Sequence, residues 1–261
     1  DRVKIDSVQT TYLKNLQATS LTQYEIDSKE KNVSVAFDEP KLDNTLAKVL
    51  SDNGLTQLHI AEKEKEAHIT YFLNGGHEES FPGEDRAIVP SPKVKTYDLM
   101  PEMSSKEITD VLIENLKEKK YDFYAVNFAN TDMVGHTGNL EAGIKAIEAT
   151  DRELLRIYEE IEKQDGFMII DSDHGNIEEM INLETGEMDT EHNPFPSPFI
   201  LVSPRLKREK PSVIKIEDLA RNPSGTLADI MPTILDLYGI QMPNIELYSD
   251  RKGSSLIQRL K

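Results

Sequence analysis

The sequence predicts an α/β protein whose sheet is covered by helices on both faces, a three-layer α/β/α sandwich. The stretches that read as strands are almost continuously apolar, which is typical of strands buried on both sides. Amphipathic stretches with helical spacing separate these strands. The length, 261 residues, is enough for one large domain or for one domain with the remnant of another.

The N-terminal region differs from the rest. Residues 1–38 mix Gln, Thr and Lys with few apolar patterns, and we interpret them as a peripheral segment or the end of a preceding domain. After Glu39-Pro40 the chain turns helical, and Asn53-Gly54 provides the stop. Four residues share the apolar face of that helix: Leu42, Leu46, Val49 and Leu50.

The middle of the chain alternates strands and helices. His68–Leu73 reads as a buried strand that ends at Asn74-Gly75-Gly76. The capping box Ser104-Ser105-Lys106-Glu107 predicts the start of a helix. Asp122–Ala129, rich in aromatic and β-branched residues, predicts a second strand.

The remaining elements follow the same alternation. Phe167–Asp171 and Phe199–Val202 read as strands, and Thr226–Tyr238 reads as a helix that ends at Gly239. A long amphipathic helix precedes them, and its apolar residues are Leu140, Ile144, Ile147, Leu154, Tyr158 and Ile161.

Composition excludes several classes of protein. Cysteine is absent, which rules out disulfides and thiolate metal sites and fits a reducing cytoplasm. No run approaches the ~20 apolar residues that cross a bilayer. A net charge of −17 disfavours nucleic-acid or anionic-membrane partners. The polar start, Asp1–Asp6, indicates no targeting peptide, and we expect a chain that begins partway through a longer protein or has been processed.

Three polar clusters lie at strand ends, where ligands bind in such sheets. Each combines carboxylate and imidazole groups, which without thiolate suit manganese, zinc or iron, and two such ions could share the site. Taken singly, each cluster is more simply interpreted as a solvated loop or turn. Taken together, they place three of the six histidines of the chain beside strand ends with carboxylates nearby, which favours a metal site. The clusters are 130–136 (NTDMVGH), 171–176 (DSDHGN) and 190–192 (TEH).

These motifs resemble cofactor-independent phosphoglycerate mutase of the alkaline-phosphatase superfamily. The similarity runs from about Val35 to Leu256 and includes segments between the metal motifs. Those intervening segments are the part that distinguishes the mutase from the wider superfamily. They are Thr56-Gln57-Leu58, Ile60–Lys65, Asn74-Gly75-Gly76, Phe81–Arg86, Ser91–Val94, Thr96–Leu99 and Pro101-Glu102-Met103.

The resemblance implies an alkaline-phosphatase type of sandwich, a two-metal site and a phosphoserine intermediate. One ion would be held by Asp132, His136 and His192, the other partly by Asp173 and His174, with manganese our first choice and zinc an alternative. Lys65 matches a lysine that contacts the phosphoryl group, although a solvated helix-face lysine is an alternative interpretation.

The family nucleophile is a serine that lies near the N-terminus, and no serine context in these 261 residues matches it. We therefore expect residues 1–35 to be the end of an inserted transferase domain or a linker. Residues 36–261 would form the C-terminal part of the phosphatase-type domain. The isolated chain would therefore be inactive. A smaller difference lies after His192, where the usual Asn-Pro-Val-Pro run of the family is replaced by Asn193-Pro194-Phe195-Pro196.

The parent enzyme would interconvert 3-phosphoglycerate and 2-phosphoglycerate in glycolysis and gluconeogenesis. Alternatives are another phosphomutase or phosphodiesterase of the superfamily, or an inactive metal-binding fragment. We expect a cytoplasmic monomer with a small phosphoglycerate substrate. His59, His68 and His77 look structural, with His68 at the start of a buried strand and His77 exposed.

Overall fold

A computed structural model describes residues 18–21, 33–37, 42–206, 221–243 and 253–259. The chain forms two compact units, Asp1–Lys41 and Leu42–Lys261. In the first unit, strands β1 (Ala18–Ser20) and β2 (Val33–Val35) pair in parallel. The boundary predicted at residue 35 stays a prediction, since these two strands do not define a domain.

The second unit holds the alternating elements. Its strands are β3 (Gln57–Glu62), β4 (Glu84–Val89), β5 (Phe123–Val126), β6 (Met168–Asp171) and β7 (Phe199–Val202). Its α-helices are α1 (Leu46–Asp52), α2 (Ser105–Glu118), α3 (Asn130–Gly135), α4 (Leu140–Lys163) and α5 (Ile230–Tyr238). Among the described residues, no helix is both long and apolar enough to cross a membrane.

The sheet is organised around β3. Strands β4 and β5 flank it, both parallel to it, and every residue of β3 is buried. Strands β6 and β7 form a separate antiparallel pair, in which Asp171 is opposite Phe199. The residues of β5 and β6 are only half-buried.

Helices cover β3 from both sides. On one side Leu58 and Ile60 pack against α2 and α4 through a cluster that includes Ile108 and Ile157. On the other side the Gln57 amide donates to the Ala47 carbonyl of α1, at 2.9 Å. This arrangement confirms the α/β/α architecture, because successive side chains of a strand point to opposite faces.

One predicted strand is wrong. His68–Phe72 is a π-helix, which follows a 3-10 turn at Lys63–Lys65, and the strand in this region is β3 instead. His68 is therefore not in a buried strand and is largely exposed, whereas His59 is buried in β3. The short apolar run contains β-branched and aromatic residues, and such runs do not distinguish a strand from a helix by pattern alone.

Helix stops follow the sequence more closely than helix starts. Helix α1 begins at Leu46, so Leu42 lies outside it, and α5 begins at Ile230 after a 3-10 turn rather than at Thr226. Gly239, at φ 70°, ends α5 as predicted, since glycine adopts this left-handed conformation without strain. Ser104 precedes α2, but its hydroxyl donates to the Pro90 carbonyl at 2.8 Å rather than capping the helix. The serine thus anchors the segment before α2 to the end of β4.

Helix α4 has the predicted length but buries the unexpected face. Its buried residues are mainly small, among them Ala142, Gly143, Ala146 and Ala149. Ala142 and Ala146 pack against Val134 of α3, and Gly143 faces Met180. The bulky residues of the predicted apolar face are left half-exposed at its N-terminal end: Leu140 48%, Ile144 51% and Ile147 47%. The pattern identified the helix correctly but not the side that packs.

Candidate metal centre

Helix α3 presents two of the candidate ligands. It begins four residues after β5, and Asp132 and His136 lie one turn apart on it, with His136 as the C-terminal cap. Residues spaced by four share a helix face, so both side chains point the same way. The Asn130 amide fixes the helix by donating to Ala146 O and Thr150 Oγ1, both at 2.9 Å.

Three potential ligand atoms converge at this face. Asp132 Oδ1 lies 3.1 Å from both His136 Nε2 and His192 Nε2, and the two imidazole nitrogens lie 3.1 Å apart. Ligands about 2.1 Å from one ion stand about 3.0 Å apart in octahedral and about 3.4 Å apart in tetrahedral geometry. The spacing of the three atoms therefore fits a shared divalent cation.

The tautomer of His136 also fits metal binding. Its Nδ1 lies 2.7 Å from the carbonyl oxygen of Thr190, which can only accept a hydrogen bond. Nδ1 must therefore carry the proton, and in the neutral ring this leaves the Nε2 lone pair directed at Asp132 and His192. Protein carbonyls commonly orient metal-binding histidines in this way.

The segment that carries His192 is tied to the loop after β6. Asn193 N donates to the Gly175 carbonyl at 3.0 Å. The rings of His174 and His192 stack with centroids 3.6 Å apart, and ligand atoms of His174, His192 and Asp132 all lie within 4.8 Å of one another. Residues from all three predicted clusters therefore meet at one place: His174 and His192 both lie next to Asp132.

Asp173 stands at the margin of this group. Its Oδ1 lies 3.5 Å from His174 Nε2, and its side chain is 60% exposed. The resemblance assigned Asp173 and His174 to a second ion, whereas the geometry places the His174 ring with the first ligand set. Nothing in these contacts contradicts a second ion, and its ligand set stays a prediction.

Lys65 is also part of the centre. Although 67 residues separate them, Lys65 Nζ lies 2.5 Å from Asp132 Oδ2. The side chains of Lys65 and Asp132 are only 8% and 13% exposed, whereas those of His136 and His192 are 38% and 46% exposed. An ion or anion would therefore approach from the histidine side and meet the lysine at the base.

The electrostatics keep Asp132 ionised. Burial alone would raise its pKa, but hydrogen bonds from Lys65 and Asn176, with the positive charges nearby, lower the pKa of Asp132 to about 2. Asn176 Nδ2 donates to Asp132 Oδ1 at 2.8 Å. Its approach requires Gly135, because a Cβ at that position would lie 2.4 Å from Asn176 Oδ1.

Sequence reasoning assigned no role to Asn176. It follows Asp173-His174 in the same motif, and an amide three residues after a strand-end carboxylate was the only available signal. The Thr190 carbonyl was not identifiable either, since any residue offers one. The pattern thus located the ligands but not the groups that orient them.

The donor set determines which cations the centre could hold. Carboxylate oxygens and imidazole nitrogens suit manganese, zinc and iron, and no cysteine exists in the chain to favour softer ions. The residues present therefore fit a divalent metal, and their three-sided arrangement leaves the exposed side open to a further ligand.

Comparisons with known proteins agree with this chemistry. Residues 9–242 match the metalloenzyme superfamily. The chain is 47% identical over 241 residues to the 2,3-bisphosphoglycerate-independent phosphoglycerate mutase of Vesicomyosocius okutanii, a match that covers 92% of this chain and 44% of that protein. It is 49% identical over 237 residues to 2,3-bisphosphoglycerate-independent phosphoglycerate mutase 2 of Methanosarcina barkeri, covering 91% and 41%.

A solved structure shares the fold. Leishmania mexicana phosphoglycerate mutase, crystallised at low cobalt concentration, superposes with a TM-score of 0.72 at 27% identity, covering 96% of this chain and 46% of that one. The chain thus spans a little under half the length of the relatives it matches.

Proposed function

The chain belongs to the metalloenzyme superfamily, and from this premise we propose that it is the metal-binding part of a 2,3-bisphosphoglycerate-independent phosphoglycerate mutase. Such an enzyme is an isomerase that interconverts 3-phosphoglycerate and 2-phosphoglycerate. The observation that carries the proposal is the 3.1 Å triangle of Asp132, His136 and His192, in a chain about 47% identical to proteins of that name.

The proposed cofactors are two divalent ions, with Mn²⁺ the first candidate. Asp132, His136 and His192 would hold one, and Asp173 and His174 would contribute to the other. When bound, divalent ions neutralise charge on a transferred phosphoryl group.

Lys65 would bind the phosphoryl group of the substrate. Its ammonium is one of few cations able to offset, locally, a net charge of −17 that repels anions. Asp132 holds this ammonium at 2.5 Å, so the charge is fixed in place before a substrate arrives. A preorganised charge costs no reorganisation during the reaction.

The phosphoserine intermediate would form on a serine outside these 261 residues. Two serine hydroxyls, one of them in the loop that carries His174, already donate hydrogen bonds: Ser104 Oγ to the Pro90 carbonyl and Ser172 Oγ to the His174 carbonyl at 2.6 Å. The isolated chain would therefore bind metal without mutase activity. We further propose a monomeric, cytoplasmic protein. The net charge of −17 supports the absence of nucleic-acid and anionic-membrane partners.

Calorimetric titration with Mn²⁺ tests the metal site. His136→Ala and His192→Ala are each expected to weaken Mn²⁺ binding at least tenfold, because both remove a ligand of the same ion. His77→Ala, which changes an exposed histidine in another loop, is the matched control and should leave the affinity unchanged. If only one of the two ligand variants lost affinity, the assignment would be wrong.

An activity assay tests the reaction. The purified 261-residue chain with Mn²⁺ is expected to show no turnover of 3-phosphoglycerate. Robust turnover would contradict the proposed absence of the nucleophile. Turnover of a sugar phosphate or phosphodiester in the same assay would instead favour another member of the superfamily.

A further inference from the structure

Two residues outside the metal centre are joined to each other and to it. Tyr97 Oη donates a hydrogen bond to Glu64 Oε1 at 2.6 Å, across 33 residues of sequence. Glu64 lies in the middle of the 3-10 turn Lys63–Lys65, directly before Lys65. The tyrosine hydroxyl therefore binds the side chain of the residue that directly precedes Lys65 in this turn.

The ring of Tyr97 contacts the helix that carries Asp132. It packs against the cluster of Val134, Ala142 and Ala146, and Val134 lies on α3 two residues after Asp132. A second tie anchors the same segment, since Asn139 Nδ2 donates to Asp98 Oδ2 at 3.2 Å. Tyr97 thus contacts the helix that carries Asp132 with its ring and the turn that carries Lys65 with its hydroxyl.

Other contacts hold the turn as well. Glu64 N donates to Ser91 Oγ at 3.2 Å, and Lys63 pairs with Glu66 on the exposed surface. Burial and the neighbouring Glu64 carboxylate raise the pKa of Tyr97 to about 12, so the hydroxyl keeps its proton at neutral pH. The Tyr97 hydroxyl can therefore donate its hydrogen bond to Glu64 at neutral pH.

We propose that Tyr97 and Glu64 are positioning residues that set the Lys65 ammonium against Asp132. A lysine has a long flexible side chain, so holding the residue directly before it limits where its ammonium can lie. The inference rests on the proposed function only in taking Lys65 as the residue that meets the phosphoryl group.

Trace acetylation with mass spectrometry measures the placement of Lys65 directly, without metal or substrate. Lys65 is 6% exposed and paired, so it should react slowly, while Lys106, whose side chain is 68% exposed, serves as the internal reference. Tyr97→Phe removes only the hydroxyl. The matched control is Tyr158→Phe, which removes a hydrogen bond to Glu162 at 2.9 Å on the exposed side of α4.

Tyr97→Phe is expected to raise the acetylation rate of Lys65 relative to Lys106 about fivefold, the factor that corresponds to one hydrogen bond of about 1 kcal/mol. Tyr158→Phe should leave the ratio unchanged. Glu64→Ala should reproduce the increase, and Glu64→Gln should not, because its amide oxygen still accepts from the hydroxyl.

Three results would overturn the positioning role: no change in Tyr97→Phe, equal increases in Glu64→Ala and Glu64→Gln, or an equal increase in Tyr158→Phe. If Tyr97→Phe unfolded, the two Glu64 variants would still decide. Mn²⁺ titration of the unmodified chain is a separate measurement. Failure to bind metal would contradict the proposed function but would not affect the acetylation test of Lys65, which needs no metal.

Discussion

Asp132 is the residue on which the centre depends, since its two oxygens serve different partners. Oδ1 faces His136, His192 and Asn176, and Oδ2 faces Lys65. A protonated carboxyl group would carry a proton on one of these oxygens and could not serve both sets of partners as an acceptor or ligand. The low pKa of this group is therefore a requirement of the geometry.

Lys65→Met should raise the pKa of Asp132 from about 2, because the hydrogen bond and the charge of Lys65 no longer oppose the effect of burial. Carbon-13 NMR titration of the Asp132 carboxyl carbon in the metal-free chain measures this change. Lys106→Met, which breaks an exposed pair with Asp110, is the control and should leave Asp132 unaltered. An unchanged pKa in Lys65→Met would show that the pair does not exist in solution.

The same group affects stability at low pH. A carboxyl group with a depressed pKa stabilises the folded state above its unfolded pKa and loses that contribution as pH falls through the folded value. For Asp132 the window runs from about 3.8 down to about 2, and the contribution is about 2 kcal/mol. The difference in free energy of unfolding between the chain and Lys65→Met should therefore shrink across that interval in urea titrations.

At the scale of elements, α4 shows why a sequence pattern locates a helix more readily than it orients one. Its small residues allow close approach of α2 and α3, while its bulky residues stay half-exposed. Both faces carry apolar side chains, so periodicity alone could not determine which one packs.

Substitutions on the two faces of α4 should differ accordingly. Ala146→Leu adds volume where the side chain is fully buried and should lower the free energy of unfolding by about 1–3 kcal/mol. Ile144→Ala, on the half-exposed face, should change it by less than about 0.5 kcal/mol. Urea denaturation of both variants provides the measurement, and a larger loss for Ile144→Ala would mean that the bulky face is the packed one.

Whether the other elements could be predicted depends on whether neighbouring residues or distant contacts determine them. Strand β7 was predicted with its observed bounds, and β6 to within one residue, because both are short apolar runs with clear flanks. The π-helix could not be predicted, since Ile69 is fixed there by tertiary contact: its carbonyl lies 2.9 Å from His59 Nδ1. Strand β4 escaped detection because it begins with Glu84, a buried carboxylate that is satisfied by hydrogen bonds from Arg86, Asn74 and the Phe81 backbone.

The candidate site divides in the same way. The strand-end position of Asp132, His136, Asp173 and His174 follows from local pattern, but their convergence does not, because β5 and β6 lie in separate sheets. The contact of Lys65 with Asp132 depends on a 3-10 turn and on chain segments 67 residues apart. Only the resemblance, and no pattern, pointed to this lysine.

At the scale of the whole molecule, the charge of −17 favours cations and opposes anions. Binding to the folded state alone stabilises a protein by mass action, by about 2.7 kcal/mol at a free ligand concentration one hundred times Kd. Mn²⁺ at that excess should therefore raise the melting temperature of the chain by several degrees. His136→Ala should show little of this increase.

Ionic strength provides the control for this experiment. Non-specific screening by Mn²⁺ on an acidic surface would raise the melting temperature of His136→Ala and the unmodified chain equally. An equal amount of Mg²⁺, which prefers oxygen ligands, reports the same surface effect. The unmodified chain and His136→Ala are each measured with Mn²⁺ and with Mg²⁺. Equal increases in melting temperature in these four samples would argue against a specific site.

The ligand triangle also has a topological consequence. Asp132 and His136 lie on one helical turn, but His192 is 56 residues beyond His136. An occupied centre would therefore join the two ends of a long loop that includes α4 and β6 in the folded chain, and this loop would open less often while the ion is bound. Hydrogen exchange should detect this closure as slower opening between residues 137 and 191 when Mn²⁺ is present, with no comparable change in β3 and β4.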